Sequence, residues 1–534
     1  MNTKQTLLCG LIAVVPALIF SACLSVPGGT RAHTHQWGEW TQVSGDDATE
    51  ERACKTDNAH RQTRLTGTNR YRFDEIGETA YRISKGTLTT GEMIIPAYYR
   101  PDENSEYLPV MEIGGGSWYG SFSYIDITSL YISEGVATID KLAFQNCTSL
   151  ASITIPTSVT SIGNSAFRDC TSLASITIPA SVTSIESWAF YNTAWLNNQP
   201  DELVYVNKIL YTYKGTMPDN TVINNIRADT IAIANSAFYG CENLAGITIP
   251  AGVTSIGEWA FSGCTSLTSI TIPTSVTSIG NSAFRDCTSL AGITIPAGVT
   301  SIGEWAFSGC TSLTSITIPA GVTSIGENAF SDCTSLTSIT IPAGVTSVGK
   351  YAFGNTAWLN NQPDGLIYVG KVLYTYKGTM PDNTVINNIR ADTIAIAETA
   401  FHQCRNLTGI TIPSGVTYIG EWAFTYCSRL TSITIPAGVT SIGGGTFEGC
   451  YSLTSITLPA SVTSIGNQAF LECYSLTSIT IPAGVTSTGG TAFFQWTDEQ
   501  TINILGHASQ EEADAAWGSG WRYECLAQIN YLGQ

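Results

Sequence analysis

Eleven cysteines, at 147, 170, 241, 264, 287, 310, 333, 404, 427, 450 and 473, follow one another in steps of 23 residues, apart from two steps of 71. In an exported protein such a column could be oxidised to disulfides or could hold metal. Positions stacked about 5 Å apart would be within disulfide reach. The regular runs, however, hold two, five and four cysteines, so complete pairing of neighbours within them fails. One Cys per repeat also lacks the C-x-x-C spacing of zinc sites. The spacing therefore reads as a column of small buried thiols, and no metal or cofactor is expected. The other chemistry-bearing residues recur beside an Ala-Phe pair: Glu258-Trp259, Glu304-Trp305, Glu421-Trp422 and Lys350-Tyr351. Aromatic rings on a weakly charged surface suit partner binding; the same rings could also roof an apolar core. Glu258 and Glu304 fall two repeats apart, roughly 10 Å, a separation a carboxylate-pair glycosidase could use, but any repeat array generates such pairs. No H-E-x-x-H, G-x-S-x-G or phosphate-binding loop occurs, and His402 has no nucleophile pattern near it. No catalytic activity is expected.

Composition narrows the classes further. Only 12% of the 534 residues are charged while 43% are hydrophobic, which excludes a disordered chain. The formal charge is −18, with no basic run, so nucleic acid is not an expected partner.

What positions those residues is a repeat. A Phe marker stands at 144, 167, 190, 238, 261, 284, 307, 330, 353, 401, 424, 447, 470 and 493. Every step is 23 except 190 to 238 and 353 to 401, which are 48 and leave room for about two altered coils each. One unit shows the physics. Leu267, Ile270 and Ile272 fit a strand with alternate side chains inward, which Pro273 ends by removing a ladder donor. Val276 and Ile279 suit a second short extended piece, Gly280 a turn, and Ala283, Phe284 and Cys287 a short helical or irregular return. Twenty-three residues cannot bury enough apolar surface alone, so the coils must stack. The outward strand positions are hydroxyls: Thr268, Ser269, Thr271; Thr314, Ser315, Thr317; Thr477, Ser478, Thr480. They favour β structure and solubility without charge, although an ice- or glycan-binding array would use the same residues.

The pattern L-x-x-I-x-I-P-x-x-V-x-x-I-G-x-x-A-F-x-x-C over roughly residues 80–495 resembles the BspA-like, treponemal-type leucine-rich repeat. The resemblance implies a leucine-rich-repeat solenoid on a bacterial cell surface, of a kind implicated in adhesion and in binding extracellular or host proteins. Ser275 stands where the common leucine-rich repeat carries Asn, so no asparagine ladder is expected. Residues 193–234 recur almost unchanged at 356–397, and Val204–Tyr211 within the first copy reads as a hairpin turning at Asn207-Lys208.

The ends complete the expected organisation. Residues 1–22 have the n-region and apolar run of a secretory signal, and Phe20-Ser21-Ala22-Cys23 resembles a lipobox. That implies cleavage before Cys23, lipidation of Cys23 and a membrane contact through the lipid anchor, in the bacterial envelope with the outer surface exposed. Residues 23–66 read as a small N-terminal module in which Cys54 has no obvious partner other than Cys23. Degenerate coils at 67–140 precede the array at 141–495, whose altered double coils lie at 193–235 and 356–398; 496–534 form a C-terminal cap. Glu511–Trp517 is expected to be a helix closing the open end. The expected function is surface-anchored recognition. A periplasm-facing structural lipoprotein is the alternative, and a glycan-active enzyme a more distant one.

Overall fold

A computed structural model describes residues 122–533 continuously, together with 41–43, 46–53, 61–66, 71–76, 80–85, 90–100 and 108–114. The signal, Cys23 and Cys54 lie outside the described residues. The chain divides into two units, Met1–Asn198 and Gln199–Gln534. Both are built as a leucine-rich-repeat solenoid of short parallel strands with little helix.

Each regular coil contributes two strands. In the unit beginning at Leu267, Ser269–Thr271 forms the first, and its Ser269 and Ile270 pair in parallel with Gly292 and Ile293, one period on. The Pro273 carbonyl then accepts from Val276 N at 3.0 Å, closing a tight turn that leads into Ser278–Ile279. The inward residues Leu267, Val276, Ala283, Phe284 and Cys287 are fully buried, whereas Thr268, Ser269 and Thr271 are exposed as their alternation requires. Ser275 donates its hydroxyl to the Val253 carbonyl of the previous coil at 2.6 Å. Ser181, Ser158 and Ser461 do the same to Val159, Val136 and Val439. A serine ladder thus replaces the absent asparagine one, at about 1 kcal/mol or less per bond.

The return is neither helix nor strand, but it is laddered. Residues two before and two after each marker Phe up to Phe470 have φ near +52 to +74°, for example Trp259 (57°) and Gly263 (74°), or Ser282 (55°) and Asp286 (57°), and at Phe493 only the second, Gln495, is left-handed. These two left-handed positions flip the peptides so that three amides per coil point along the stacking axis. Trp259 N, Phe261 N and Gly263 N donate to Asn281, Ala283 and Arg285 carbonyls at 2.9, 2.8 and 2.8 Å. Asn, Asp and Gly suit such backbone, but the first position also accepts Trp, Tyr, Leu and Thr, so the ladder overrides their intrinsic preference. Gly280 is required for another reason: a Cβ there would strike the Glu258 amide of the preceding coil.

Phe rings form the spine. From Phe238 to Phe353 they stack nearly parallel with centroids 5.2 to 5.5 Å apart. A second run spans Phe401 to Phe493, and Phe122 opens a run to Phe190 in the first unit. Phe122 is 22 residues before Phe144, one short of the period, so the spacing alone passed it over. At 356–398 the stack is interrupted and refilled. Thr356 takes the Cys position and caps a single turn of helix, Ala357–Asn360, through Leu359 N at 3.1 Å. Trp358 and Tyr374 pack their rings on Phe353, and the Tyr374 hydroxyl accepts from Phe353 N at 3.1 Å, where a regular coil would offer an Ala carbonyl. The hairpin Gly365–Val369 with Val372–Lys377 belongs to this coil, and its second strand pairs in parallel with Ala395–Ile396 of the next. Its duplicate, Glu202–Val206 with Ile209–Lys214, turns at Asn207-Lys208, with Asn207 left-handed at 53°.

The C-terminal end is closed by tryptophans. Trp496 occupies the next Cys position and its indole donates to the Phe470 carbonyl at 2.9 Å. Thr501–Leu505 and Gln528–Leu532 extend the first strand column, and helix Gln510–Trp517 buries Trp517, whose indole donates to Val485 O at 3.0 Å. Exposed core and unpaired strand edge are covered together.

Candidate binding surface

The cysteine column is a hydrogen-bonding column. Each thiol from Cys264 to Cys333 donates to the Phe carbonyl of the previous coil, at 3.0 to 3.2 Å, and Cys427, Cys450 and Cys473 repeat the contact. All are free thiols. Burial pushes Cys241, Cys287 and Cys404 up to about 12, and Cys427, Cys450 and Cys473 are also raised by burial, so these six thiols are protonated and unreactive at neutral pH. Among the described residues, no group of three or more His, Cys, Asp or Glu is placed to hold a metal.

Side-chain variety is concentrated on the left-handed shoulders of the return. Glu258, Glu304 and Glu421 are exposed, and Trp259, Trp305 and Trp422 are half-buried at the first shoulder position. Trp259 and Trp305, two coils apart, clamp the Arg285 guanidinium between them at 5.5 and 4.9 Å, while Tyr239 meets Trp259 edge-on at 6.2 Å. Ser282, the intervening shoulder residue, leaves room for that arrangement. Glu258 and Glu304 are not brought together: the Asn281 side chain between them accepts from Glu304 N at 2.9 Å, and Asn235 does the same for Glu258 N. Glu421 and Trp422 stand five coils further on. A Cβ at Gly445 would collide with the Trp422 ring, so that glycine seats the indole; Lys350 Nζ lies 5.4 Å from the ring centroid. Burial, reinforced by the Glu421 charge, holds Glu398 above the usual carboxylate range. His402 is pushed down by burial, against the opposing pull of Glu448.

A rule emerges that the sequence motifs did not expose. Among the described residues, several rings carry a cation that in turn pairs with a carboxylate. Arg168 sits over Tyr191 and bonds Asp169 at 3.2 Å; Arg285 bonds Asp286 at 3.4 Å as well as its two tryptophans. Lys350 bonds Glu327 at 3.3 Å. Arg227 over Tyr205 bonds Asp229, and Arg390 over Tyr368 bonds Asp392, lowering both aspartates. The sequence signal was present in the Arg-Asp pairs just after Phe167 and Phe284, but only stacking reveals which ring each reaches.

Residues 119–206, 231–360 and 394–514 match the family model for the BspA type leucine-rich repeat region, in six copies. Among solved structures the chain resembles a leucine-rich repeat protein from Bacteroides ovatus (22% identity, 87% of this chain and 99% of that one, TM-score 0.29). It also resembles a leucine-rich cell surface protein from Faecalibacterium prausnitzii (28%, 84% and 97%, TM-score 0.28) and a leucine-rich repeat protein from T. pallidum (23%, 50% and 88%, TM-score 0.19). No curated protein matches the chain. Among the described residues no helix is long and apolar enough to cross a membrane.

Proposed function

We propose, from the premise that the chain belongs to the BspA-type leucine-rich-repeat family, that it is a surface-anchored recognition protein without chemistry of its own. Members of this family are typically bacterial cell-surface proteins, and the fold is generally non-catalytic. The observation that carries the reading is the division of labour within each coil. Spine, strands and thiol column are nearly invariant, while the return shoulders vary among Trp, Tyr, Glu, Asp, Ser and Asn on a fixed backbone ladder. A stiff scaffold with variable rings and charges at regular spacing favours many weak contacts acting together. Cys23 would supply the lipid anchor, and the partners would be extracellular or host proteins. The finer reading is tested by protease treatment of intact cells. Removal of the array while a periplasmic marker survives supports it; protection until the outer envelope is breached would replace it with a periplasm-facing structural role. A glycan-active role would require Glu421→Gln to abolish glycan turnover, since the Glu421 charge acts on Glu398, which burial already raises.

A further inference from the structure

Among the described residues, five ring–cation–carboxylate groups are complete, at Tyr191, Tyr205, Trp259 with Trp305, Tyr368 and Trp422. A sixth is not. In the coils of Phe424, Phe447 and Phe470, Tyr426, Tyr451 and Tyr474 line one side of the return, with Glu448 and Glu472 among them. Tyr426 donates its hydroxyl to Glu448 Oε1 at 3.2 Å, Tyr451 donates to Glu472 Oε2 at 3.1 Å, and the Tyr451 and Tyr474 rings stack at 5.8 Å. Tyr474 is 56% exposed and Tyr451 39%, unlike the covered Phe spine beneath them. Gly449 is shaped for the arrangement, because a Cβ there would strike the Tyr426 ring. Most other coils carry Thr or Ser where Tyr451 and Tyr474 stand, and the coils of Phe238 and Phe401 carry Glu242 and Arg405, so the rings are not needed to close the fold. Among the described residues, no Lys or Arg lies over these three rings or pairs with either glutamate, whereas each carboxylate in the five complete groups has one. His402 meets the Tyr426 ring edge-on at 6.3 Å, and burial pushes its pKa down, which disfavours its charged form.

We propose that the Tyr426–Tyr451–Tyr474 stripe, with Glu448 and Glu472, is a docking site for a basic segment of a partner protein, whose Arg or Lys side chain completes the sixth group. The argument is one of complementarity: aromatic faces and unneutralised carboxylates attract a cation, and guanidinium satisfies both at once. The stripe rests on the recognition reading above and gives it a chemical class of partner.

The test uses the full chain and a fluorescently labelled Gly-Arg repeat peptide, with a Gly-citrulline peptide of the same length as the uncharged probe. Because the net charge of −18 attracts any cation, two variants of equal charge change are compared: Glu448→Gln/Glu472→Gln, and Glu202→Gln/Glu242→Gln, at exposed glutamates outside the candidate surface. The first should lose about tenfold or more in affinity and the second little. The citrulline peptide should not bind detectably. Tyr451→Phe with Tyr474→Phe keeps the rings and should keep most binding, whereas Tyr474→Ala, at an exposed ring, should weaken it without changing thermal unfolding. Equal losses in the two glutamate pairs would overturn the proposal, as would calcium chloride alone saturating Glu448 and Glu472 while the peptide ignores them. Protease accessibility on cells is unaffected by any of these outcomes, so failure of the stripe and failure of surface recognition remain separate.

Discussion

Thr230 and Thr393 provide the sharpest test of the packing argument. They are equivalent residues of the two duplicated blocks and stand 23 residues before Val253 and Val416, in the inward valine column. Both are buried, at 0% and 1% exposure, and neither hydroxyl has a hydrogen-bond partner. A buried hydroxyl without a partner costs roughly 1–3 kcal/mol relative to solution. Valine has nearly the same shape and no donor to satisfy, so Thr230→Val should stabilise the second unit by about 1–3 kcal/mol. Thr393→Val should do the same. The sites are seven coils apart, so the double variant should gain close to the sum, about 2–6 kcal/mol. Repeat arrays need not unfold in one step, so the measurement is amide hydrogen exchange at Ile233 and Ile256, and at Ile396 and Ile419, alongside urea unfolding. Thr230→Ser, which retains the hydroxyl and removes a methyl, should lower protection, and this separates polarity from volume. If Thr230→Val destabilises as much as Thr230→Ser, the hydroxyl is bonded and the reasoning fails.

Three further outcomes follow from the spine, the thiols and the seated rings. Phe307→Ala removes a ring stacked at 5.4 Å on both neighbours and should cost about 3–5 kcal/mol, read as local loss of exchange protection in the coils of Phe284 and Phe330. Folding raises the Cys287 thiol from an ordinary 9.0 to about 12, so its contribution to stability is intact below pH 9 and is lost progressively as the pH climbs toward 12. Stability falling between pH 7 and 8.5 because of this column, or iodoacetamide labelling of native Cys287 at pH 8.5, would contradict that account. Gly445→Ala should expel the Trp422 ring, seen as a red shift of its emission in a chain whose fold is otherwise retained; an unchanged spectrum would mean the ring is not seated there.

The sequence disclosed whatever recurs and concealed whatever depends on a neighbouring coil. Leu267, Ile270, Val276 and Phe284 were legible as inward residues because burial imposes alternation and period on a single strand of text. The helix at Gln510–Trp517 was legible from its Glu-rich start and terminal Trp, and the Asn207-Lys208 turn from its flanking β residues. The serine ladder was not, since nothing in Ser275 itself points to the Val253 carbonyl 22 residues earlier. The role of the cysteine column was half legible: spacing argued for buried thiols, but the thiol-to-Phe carbonyl bond appears only on stacking. Trp496 in the Cys position is explained by that bond, because an indole N–H can make it and a methyl group cannot. The candidate residues Glu258, Trp259, Glu304 and Trp305 were found by their variation, yet their real organiser, Arg285, lies in the coil between them.

That spacing sets a physical limit on how such a surface can vary. Neighbouring Phe rings repeat every 5.2 to 5.7 Å because they stand across the stacking axis. A ring that instead lies along the axis covers more than one coil, and needs a small residue beside it. Trp259 and Trp305 alternate with Ser236 and Ser282, and Trp422 is followed by Gly445. Tryptophan in two consecutive first-shoulder positions would have to displace the ladder or stand upright in water. Tyr451 and Tyr474 escape the limit because they stack as the spine does, only 7° from parallel, and therefore recur in successive coils. The array can thus present wide rings at every second coil or narrow ones at every coil. Ser282→Trp separates the cases: it should lose the Arg285 clamp and local exchange protection together, whereas Thr497→Tyr, one coil beyond Tyr474, should be tolerated. Retention of the clamp in Ser282→Trp would show that ring width does not govern the alternation.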